Sequence, residues 1–299
     1  MSWLQIKTLV SPEQAATLED WLLEAGACAI TLTDARDEPV FEPLRGTTPL
    51  WQSTWVTGLY DGQQDAAAMQ DAIHKRWSVE YPGQALQLQL EILEDKDWIR
   101  EWMDSFAPIR MGQRLWVVPS WHQPPEAEAV NLILDPGLAF GTGTHPTTAL
   151  CLNWLDGEDL QGKTLLDYGC GSGILGIAGL LLGAKQALGV DIDPQALEAS
   201  RQNAERNRLA PEAFPVYYPE TCPAARVDVL VANILAGPLI DLAPHLAKQV
   251  KLGGRMALSG ILAHQAEAVA QAYRPWFTLE PPEQRDDWVR ISGQRNTLS

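Results

Sequence analysis

The sequence predicts an α/β protein in which a doubly wound parallel sheet forms the larger C-terminal part and a smaller α+β unit precedes it. Three observations carry this. From about Lys163 onward, strand-length apolar runs alternate with helix-length amphipathic runs, the pattern of repeated β-α units. Residues 1–93 instead read β-α-β-β-α-β, the ferredoxin-like order. Residues 94–106, densely charged, stand between them as a linker helix, which leaves 107–299 as the second domain.

In the first unit, Leu4, Ile6 and Val10 alternate as in a half-buried strand. Ser11, Pro12 and Gln14 then form a capping-box start with proline at the first helical position, and Leu18, Trp21, Leu22 and Ala25 continue one apolar face up to Gly26. Strands are expected at Cys28 to Thr33 and Trp51 to Tyr60, a helix at Ala66 to Trp77, and a last strand where Leu86, Leu88, Leu90 and Ile92 alternate with polar residues. In the linker, Trp98 and Trp102 fall four residues apart and make one apolar stripe, suited to packing against a neighbouring domain. Two short strands follow, Leu115 to Val118 and Ala129 to Leu134. The β-α series then runs from Leu165 to Asp167, through helices at Ile174 to Leu182, Pro194 to Arg208, Ile234 to Val250 and Ala263 to Tyr273, to a final strand at Val289 to Ser292. Such a sheet places ligands at the carboxyl ends of its strands.

Composition narrows the function classes. Of 299 residues, 46% are hydrophobic and 20% charged, enough apolar surface for a substantial core. Lys and Arg number 22 against 38 Asp and Glu, a net charge of -16, which disfavours neutralising the phosphates of a long nucleic acid. Up to residue 115 there are 9 basic and 18 acidic side chains, so the basic strip that an RNA substrate would want is absent there. The four cysteines (Cys28, Cys151, Cys170, Cys222) are too scattered for a zinc site or a disulfide framework. No uninterrupted apolar run is long enough to span a membrane, and the start lacks the pattern of an export signal, so a cytoplasmic protein is expected.

The chemistry concentrates in three places. Asp167-Tyr168-Gly169-Cys170-Gly171-Ser172-Gly173 follows an apolar strand and opens a helix; glycines there let the backbone turn tightly and approach a ligand. The next strand ends at Asp191, where a carboxylate can accept hydrogen bonds from both ribose hydroxyls of an adenosine; the plainer alternative leaves Asp191 in a turn before a helix capped by Asp193. Gly171, Gly173 and Gly176 also satisfy the dinucleotide fingerprint, so spacing alone does not choose the cofactor. Asp167 tilts the choice, because a carboxylate there can hold the loop or meet a cationic ammonium, and a pyrophosphate gains nothing from it.

The second place is Val231-Ala232-Asn233-Ile234-Leu235, a polar amide at the carboxyl edge of an apolar strand, able to accept from an amine or, alternatively, to cap the next helix. The third is the loop Asp135 to Thr148, containing Phe140, Thr144, His145, Thr147 and Thr148, glycine- and threonine-rich and able to fold over a ligand. His145 has no second histidine or carboxylate at ligand spacing, so no metal is expected.

On these residues the chain resembles the bacterial methyltransferases of ribosomal protein L11, a class I family using S-adenosylmethionine. The likeness covers nearly the whole length, including Asp95-Lys96-Asp97-Trp98, Phe140 to Thr148, Asp167 to Gly173, Gly189 to Asp193 and Asn233-Ile234-Leu235-Ala236. It implies a Rossmann-like methyltransferase domain with cofactor contacts at Thr148, Gly169, Asp191 and Asn233; the residue reading makes Asn233, as acceptor for the amine, the catalytic residue. The residue reading adds Asp167, Gly171, Phe140 and Thr144 to the cofactor set. The resemblance further implies that the ferredoxin-like domain binds the protein substrate, that the linker lets it reorient, and that lysine ε-amines and the terminal α-amine of L11 are methylated up to the trimethylated state. A monomer without nucleic-acid or membrane contact is expected.

Overall fold

The computed structural model describes residues 3–36, 51–93, 106–135, 145–224 and 226–297. The chain divides into two compact units, Met1–Trp102 and Met103–Ser299. The expected linker helix and its Trp98–Trp102 pair fall almost wholly outside the described residues.

The N-terminal unit contains β1 (Trp3–Val10), α1 (Pro12–Glu24), β2 (Ala29–Asp34), β3 (Thr54–Asp61), α2 (Ala66–Glu80) and β4 (Leu88–Leu93). The sheet order β2-β3-β1-β4, antiparallel throughout, is the ferredoxin-like arrangement. Every second residue of β1 (Leu4, Ile6, Thr8, Val10) is buried, as the period predicts. The N-terminus of α1 makes half of the expected capping box: Gln14 accepts from the Ser11 backbone N–H at 3.1 Å, while the Ser11 hydroxyl donates to Glu13 instead of capping the first turn. Ala15, Leu18, Trp21 and Leu22 line the buried face; Ala25 lies past the helix end and is exposed, because the chain already turns there toward Gly26 at φ +92°. Ile92 shares the strand face of Leu88 and Leu90 yet is 67% exposed at the sheet's edge.

The C-terminal unit begins with a small sheet of β5 (Ile109–Met111), β6 (Leu115–Val118) and β7 (Val130–Ile133). Asn207 clasps its outer strand as another strand would: its Oδ1 accepts from Ile133 N–H at 2.8 Å and its amide donates to Ile133 O at 2.7 Å. The main sheet runs β10 (Val216–Tyr217), β9 (Gln186–Val190), β8 (Thr164–Tyr168), β11 (Val227–Asn233), β12 (Val250–Leu262), β15 (Trp288–Arg295), β13 (Phe277–Leu279), with β14 (Glu283–Arg285) also on β15. Its helices are α3 (Pro146–Gly157), α4 (Ile174–Leu181), α5 (Pro194–Arg206), α6 (Ala236–Gln249) and α7 (Ala266–Tyr273). The five strands β8 to β12 run parallel, but β15 is antiparallel to β12 and to β13. The wholly parallel expectation therefore fails at this end. Parallel pairing needs a crossover of a dozen or more residues, and the stretch between Leu279 and Trp288 is too short for one.

Two buried clusters cover the two faces. One joins Leu165, Val229 and Val231 to Leu152, Leu155, Leu175 and Ile177; the other joins Leu166, Leu230 and Leu258 to Leu239, Leu246 and Tyr273. Each fully buried leucine or isoleucine contributes roughly 1.5–3 kcal/mol of transfer free energy. Among the described residues, no helix is long and apolar enough to cross a membrane.

Candidate active site at the carboxyl edge of the sheet

In the main sheet β8 has β9 on one side and β11 on the other, so the winding direction reverses between β8 and β11. At such a switch point the connections leave in opposite directions and open a crevice at the carboxyl edge. The glycine loop leaves β8 there, and Asn233 ends β11 one residue beyond Ala232, the partner of Tyr168.

The loop is held from several directions. Gly169 and Cys170 donate their N–H groups to Val190 O at the end of β9, at 2.7 and 3.0 Å. Gly169 has φ +77°, and a β-carbon there would collide with Ile234. The Ile234 backbone also packs against Gly260, whose φ of +84° falls in the irregular register between Leu258 and Ile261 and where a β-carbon would collide with it. These two glycines set where the chain goes directly after Asn233.

Asp167 is fully buried. Its Oδ2 accepts from Gly176 N–H at 2.8 Å, in the first turn of α4, a helix whose N-cap, Gly173, has no side chain to offer. Its Oδ1 is buried with no hydrogen-bond partner among the described residues. Burial pushes the Asp167 carboxyl up to about 7, the Gly176 bond opposing this and the nearby Asp191 adding to it. A buried acceptor left unsatisfied costs about 1–3 kcal/mol, so the site fits a ligand that brings a donor or a positive charge.

Asp191 lies at the end of β9, as expected, with both oxygens engaged: Oδ2 accepts from Gly171 N–H at 2.9 Å and Oδ1 from Asp193 N–H at 3.0 Å. A carboxylate has about four acceptor sites, so ribose hydroxyls can share it. Asp193 caps α5 through Gln195 N–H at 2.8 Å, as its position before Pro194 predicts.

Asn233 does not cap the following helix, whose N-cap is Leu235. Its amide Nδ2 instead donates to Thr148 Oγ1 at 3.2 Å, across 85 residues of sequence. With the NH₂ group directed to Thr148, the amide carbonyl is the face left for accepting a hydrogen bond. Thr148 and Thr147 are buried in the first turn of α3. His145 is the N-cap there: its Nδ1 lies 2.8 Å from Thr147 Oγ1 and accepts from Thr147 N–H at 3.3 Å, and its ring meets Trp288 edge-on at 5.0 Å. Burial holds the His145 imidazole below the ordinary histidine range, which favours the neutral ring that can accept. The structure thus gathers Asp167, Gly169, Gly171 and Asp191 around one loop, and joins Thr148 to Asn233. Phe140 and Thr144 lie outside the described residues.

Sequence reasoning missed Ser200 and Asn203 of α5, which hold the loop's carbonyls at Gly171 and Ser172. A signal existed, since both fall on the helix face that buries Ala196, Leu197 and Ala204.

A dinucleotide-binding sheet of the doubly wound type carries its six strands parallel in the order 3-2-1-4-5-6, whereas here an antiparallel strand sits beside β12. That insertion, together with a buried carboxylate directly before the glycine loop, departs from the nicotinamide alternative that the fingerprint allowed and fits a class I S-adenosylmethionine-dependent methyltransferase, the class to which the comparisons lead. Comparison with known proteins carries the assignment further. The family model described as ribosomal protein L11 methyltransferase (PrmA) matches residues 2–296, and the chain belongs to that family. It is 59% identical over 295 residues to the ribosomal protein L11 methyltransferase of Pseudomonas fluorescens (strain Pf0-1), covering 99% of this chain and 100% of the relative. It is 58% identical to the enzyme of the same description from Chromohalobacter salexigens, covering 98% of this chain and 99% of the relative. The crystal structure of the ribosomal protein L11 methylase from Lactobacillus delbrueckii subsp. bulgaricus superposes with a TM-score of 0.58 at 32% identity, over 64% of this chain and 100% of that one.

Proposed function

We propose that the protein methylates lysine ε-amines and the N-terminal α-amine of ribosomal protein L11, up to the trimethylated state. The observation that supports this best is the Asn233–Thr148 pair, which puts a braced amide carbonyl at the switch point beside the glycine loop. When bound, S-adenosylmethionine supplies a methyl already activated on a cationic sulfur. The chain's own task is alignment and exclusion of water. Gly169, Gly171 and Asp191 would hold its nucleoside end, with Thr148 lining the same site, and the buried Asp167 carboxylate would meet its positive charge. Asn233 would accept an N–H of the incoming amine and so orient the amine's lone pair for transfer.

The amine must arrive neutral. Lysine has a reference pKa of about 10.4, so deprotonation near pH 7 costs roughly 4 to 5 kcal/mol, and burial beside a positive centre lowers that cost. We assign no general base; the proton leaves to solvent before the amine docks. A single acceptor such as Asn233 also lets a methylated amine rotate and present its lone pair again, which repeated transfer requires. The N-terminal ferredoxin-like domain (1–93) serves as the recognition module, with 94–106 as linker and 107–299 as the catalytic domain. Its excess of acidic side chains suits a basic ribosomal protein. The enzyme acts as a monomer in the cytoplasm.

Intact-mass spectrometry of purified L11 incubated with the enzyme and S-adenosylmethionine tests this, beside a control without cofactor. Successive methyl increments are expected. An unmodified L11, with cofactor bound to the enzyme, would refute the acceptor assignment.

A further inference from the structure

Ser200 and Asn203 stand one turn apart on α5 and are 0% and 7% exposed. Ser200 Oγ donates to Gly171 O at 2.9 Å, and Asn203 Nδ2 donates to the next carbonyl, Ser172 O, at 2.8 Å. Because each peptide unit is planar, fixing a carbonyl fixes the N–H on its opposite side. Two consecutive planes of the cofactor loop are therefore oriented from α5.

Asn203 is itself braced. Its Oδ1 accepts from a terminal nitrogen of Arg206 at 2.6 Å, and Arg206 Nε lies 3.5 Å from Asp135 Oδ2. Asp135 in turn accepts from the Ser120 N–H and hydroxyl at 2.7 and 2.9 Å. A continuous polar chain thus runs Ser120, Asp135, Arg206, Asn203, Ser172.

We propose that Asn203, oriented by Arg206 and Asp135, is a positioning residue that sets affinity for S-adenosylmethionine without touching it. The inference rests on the donor-binding reading of the glycine loop. Glycine at three alternate positions gives that loop many backbone states of similar energy, so something outside it must select the binding geometry. Released from Asn203, the Ser172 carbonyl loses its buried donor, and binding must then reorder the loop at a cost in affinity.

The test is the Kd for S-adenosylhomocysteine by titration calorimetry on the full chain, with cofactor KM and kcat on L11 alongside. Asn203→Asp keeps the acceptor for Arg206 but faces the Ser172 carbonyl with an oxygen. It is expected to raise Kd and cofactor KM by about tenfold, the worth of one buried hydrogen bond, while kcat at saturating cofactor stays within about twofold. Arg206→Met, at a side chain 37% exposed, should raise Kd severalfold; Arg206→Lys keeps a donor for Asn203 Oδ1 while giving up the bridge to Asp135, and should recover part of that loss. Variants that melt earlier yet bind the ligand like wild type would overturn the proposal, as would a wild-type enzyme that does not bind it. A wild type that binds but leaves L11 unmodified would refute the acceptor assignment alone, since this test reads binding.

Discussion

Removing the charge at Asp167 gives the most informative perturbation. In the folded protein its carboxyl is pushed up to about 7; in the unfolded chain it titrates near 3.9. Between those values the folded state holds a proton that the unfolded state has released, so stability falls as pH rises through the window. The full difference of about 3 units corresponds to roughly 4 kcal/mol, of which about 2 to 3 kcal/mol accrues between pH 5 and pH 8. That is a ceiling, because water entering the ligand cleft returns part of the lost solvation. Asp167→Asn keeps an acceptor for Gly176 N–H and removes the titration. Urea unfolding at pH 5 and pH 8 should show wild type losing more stability over this interval than the variant, by up to that amount. Saturating S-adenosylhomocysteine should narrow the gap by giving the carboxylate a cationic neighbour. The variant should meanwhile bind that ligand about tenfold more weakly or worse. Equal pH slopes for the two proteins, or equal ligand affinity, would refute the reasoning.

Asn233→Ala should lower kcat on L11 by about a hundredfold at saturating cofactor, since misplacing a reacting group costs on that order; mass spectrometry of L11 time courses reads this. Thr148→Val keeps the shape but removes the acceptor for the Asn233 amide, so kcat should fall about tenfold, and Thr148→Ser should recover most of it. His145→Ala removes the cap of α3 and should cost about 1 kcal/mol in urea unfolding, whereas His145→Asn, which can cap, should cost less than half of that. The His145 contribution should also vanish in acid: its folded pKa is depressed, so the cap is present above the ordinary histidine pKa and lost as pH falls through the folded one.

Much of the site was legible because its determinants are local. Asp167 to Gly173 and Asp191 to Pro194 are governed by backbone geometry that needs glycine, a cap or a proline at fixed offsets, and these leave a mark in the letters. Asn233 was legible as a polar residue ending an apolar strand, but its bond to Thr148, 85 residues away, was not. The short strands Ile109–Met111, Val216–Tyr217, Phe277–Leu279 and Glu283–Arg285 were missed because two or three residues carry no periodicity. The antiparallel last strand was missed for a different reason: strand direction is fixed by the length of the connection, which composition does not announce. Ser200 and Asn203 fall on the apolar face of their helix, a mark the letters carry without saying what the two polar side chains bind. Only the three-dimensional loop supplies the carbonyls that let polar side chains occupy its buried face.

The lengths of the outermost strands bear on how the molecule behaves in a crowded solution. At one margin of the large sheet stands a two-residue strand, Val216–Tyr217, and at the other the three-residue pieces Phe277–Leu279 and Glu283–Arg285. Margins this brief offer a foreign chain almost no unpaired backbone to zip onto. The small N-terminal sheet is bordered instead by six-residue strands, Ala29–Asp34 and Leu88–Leu93. Self-association through backbone pairing should therefore begin in the N-terminal unit, and the C-terminal unit expressed alone should stay dispersed at concentrations where the full chain begins to aggregate.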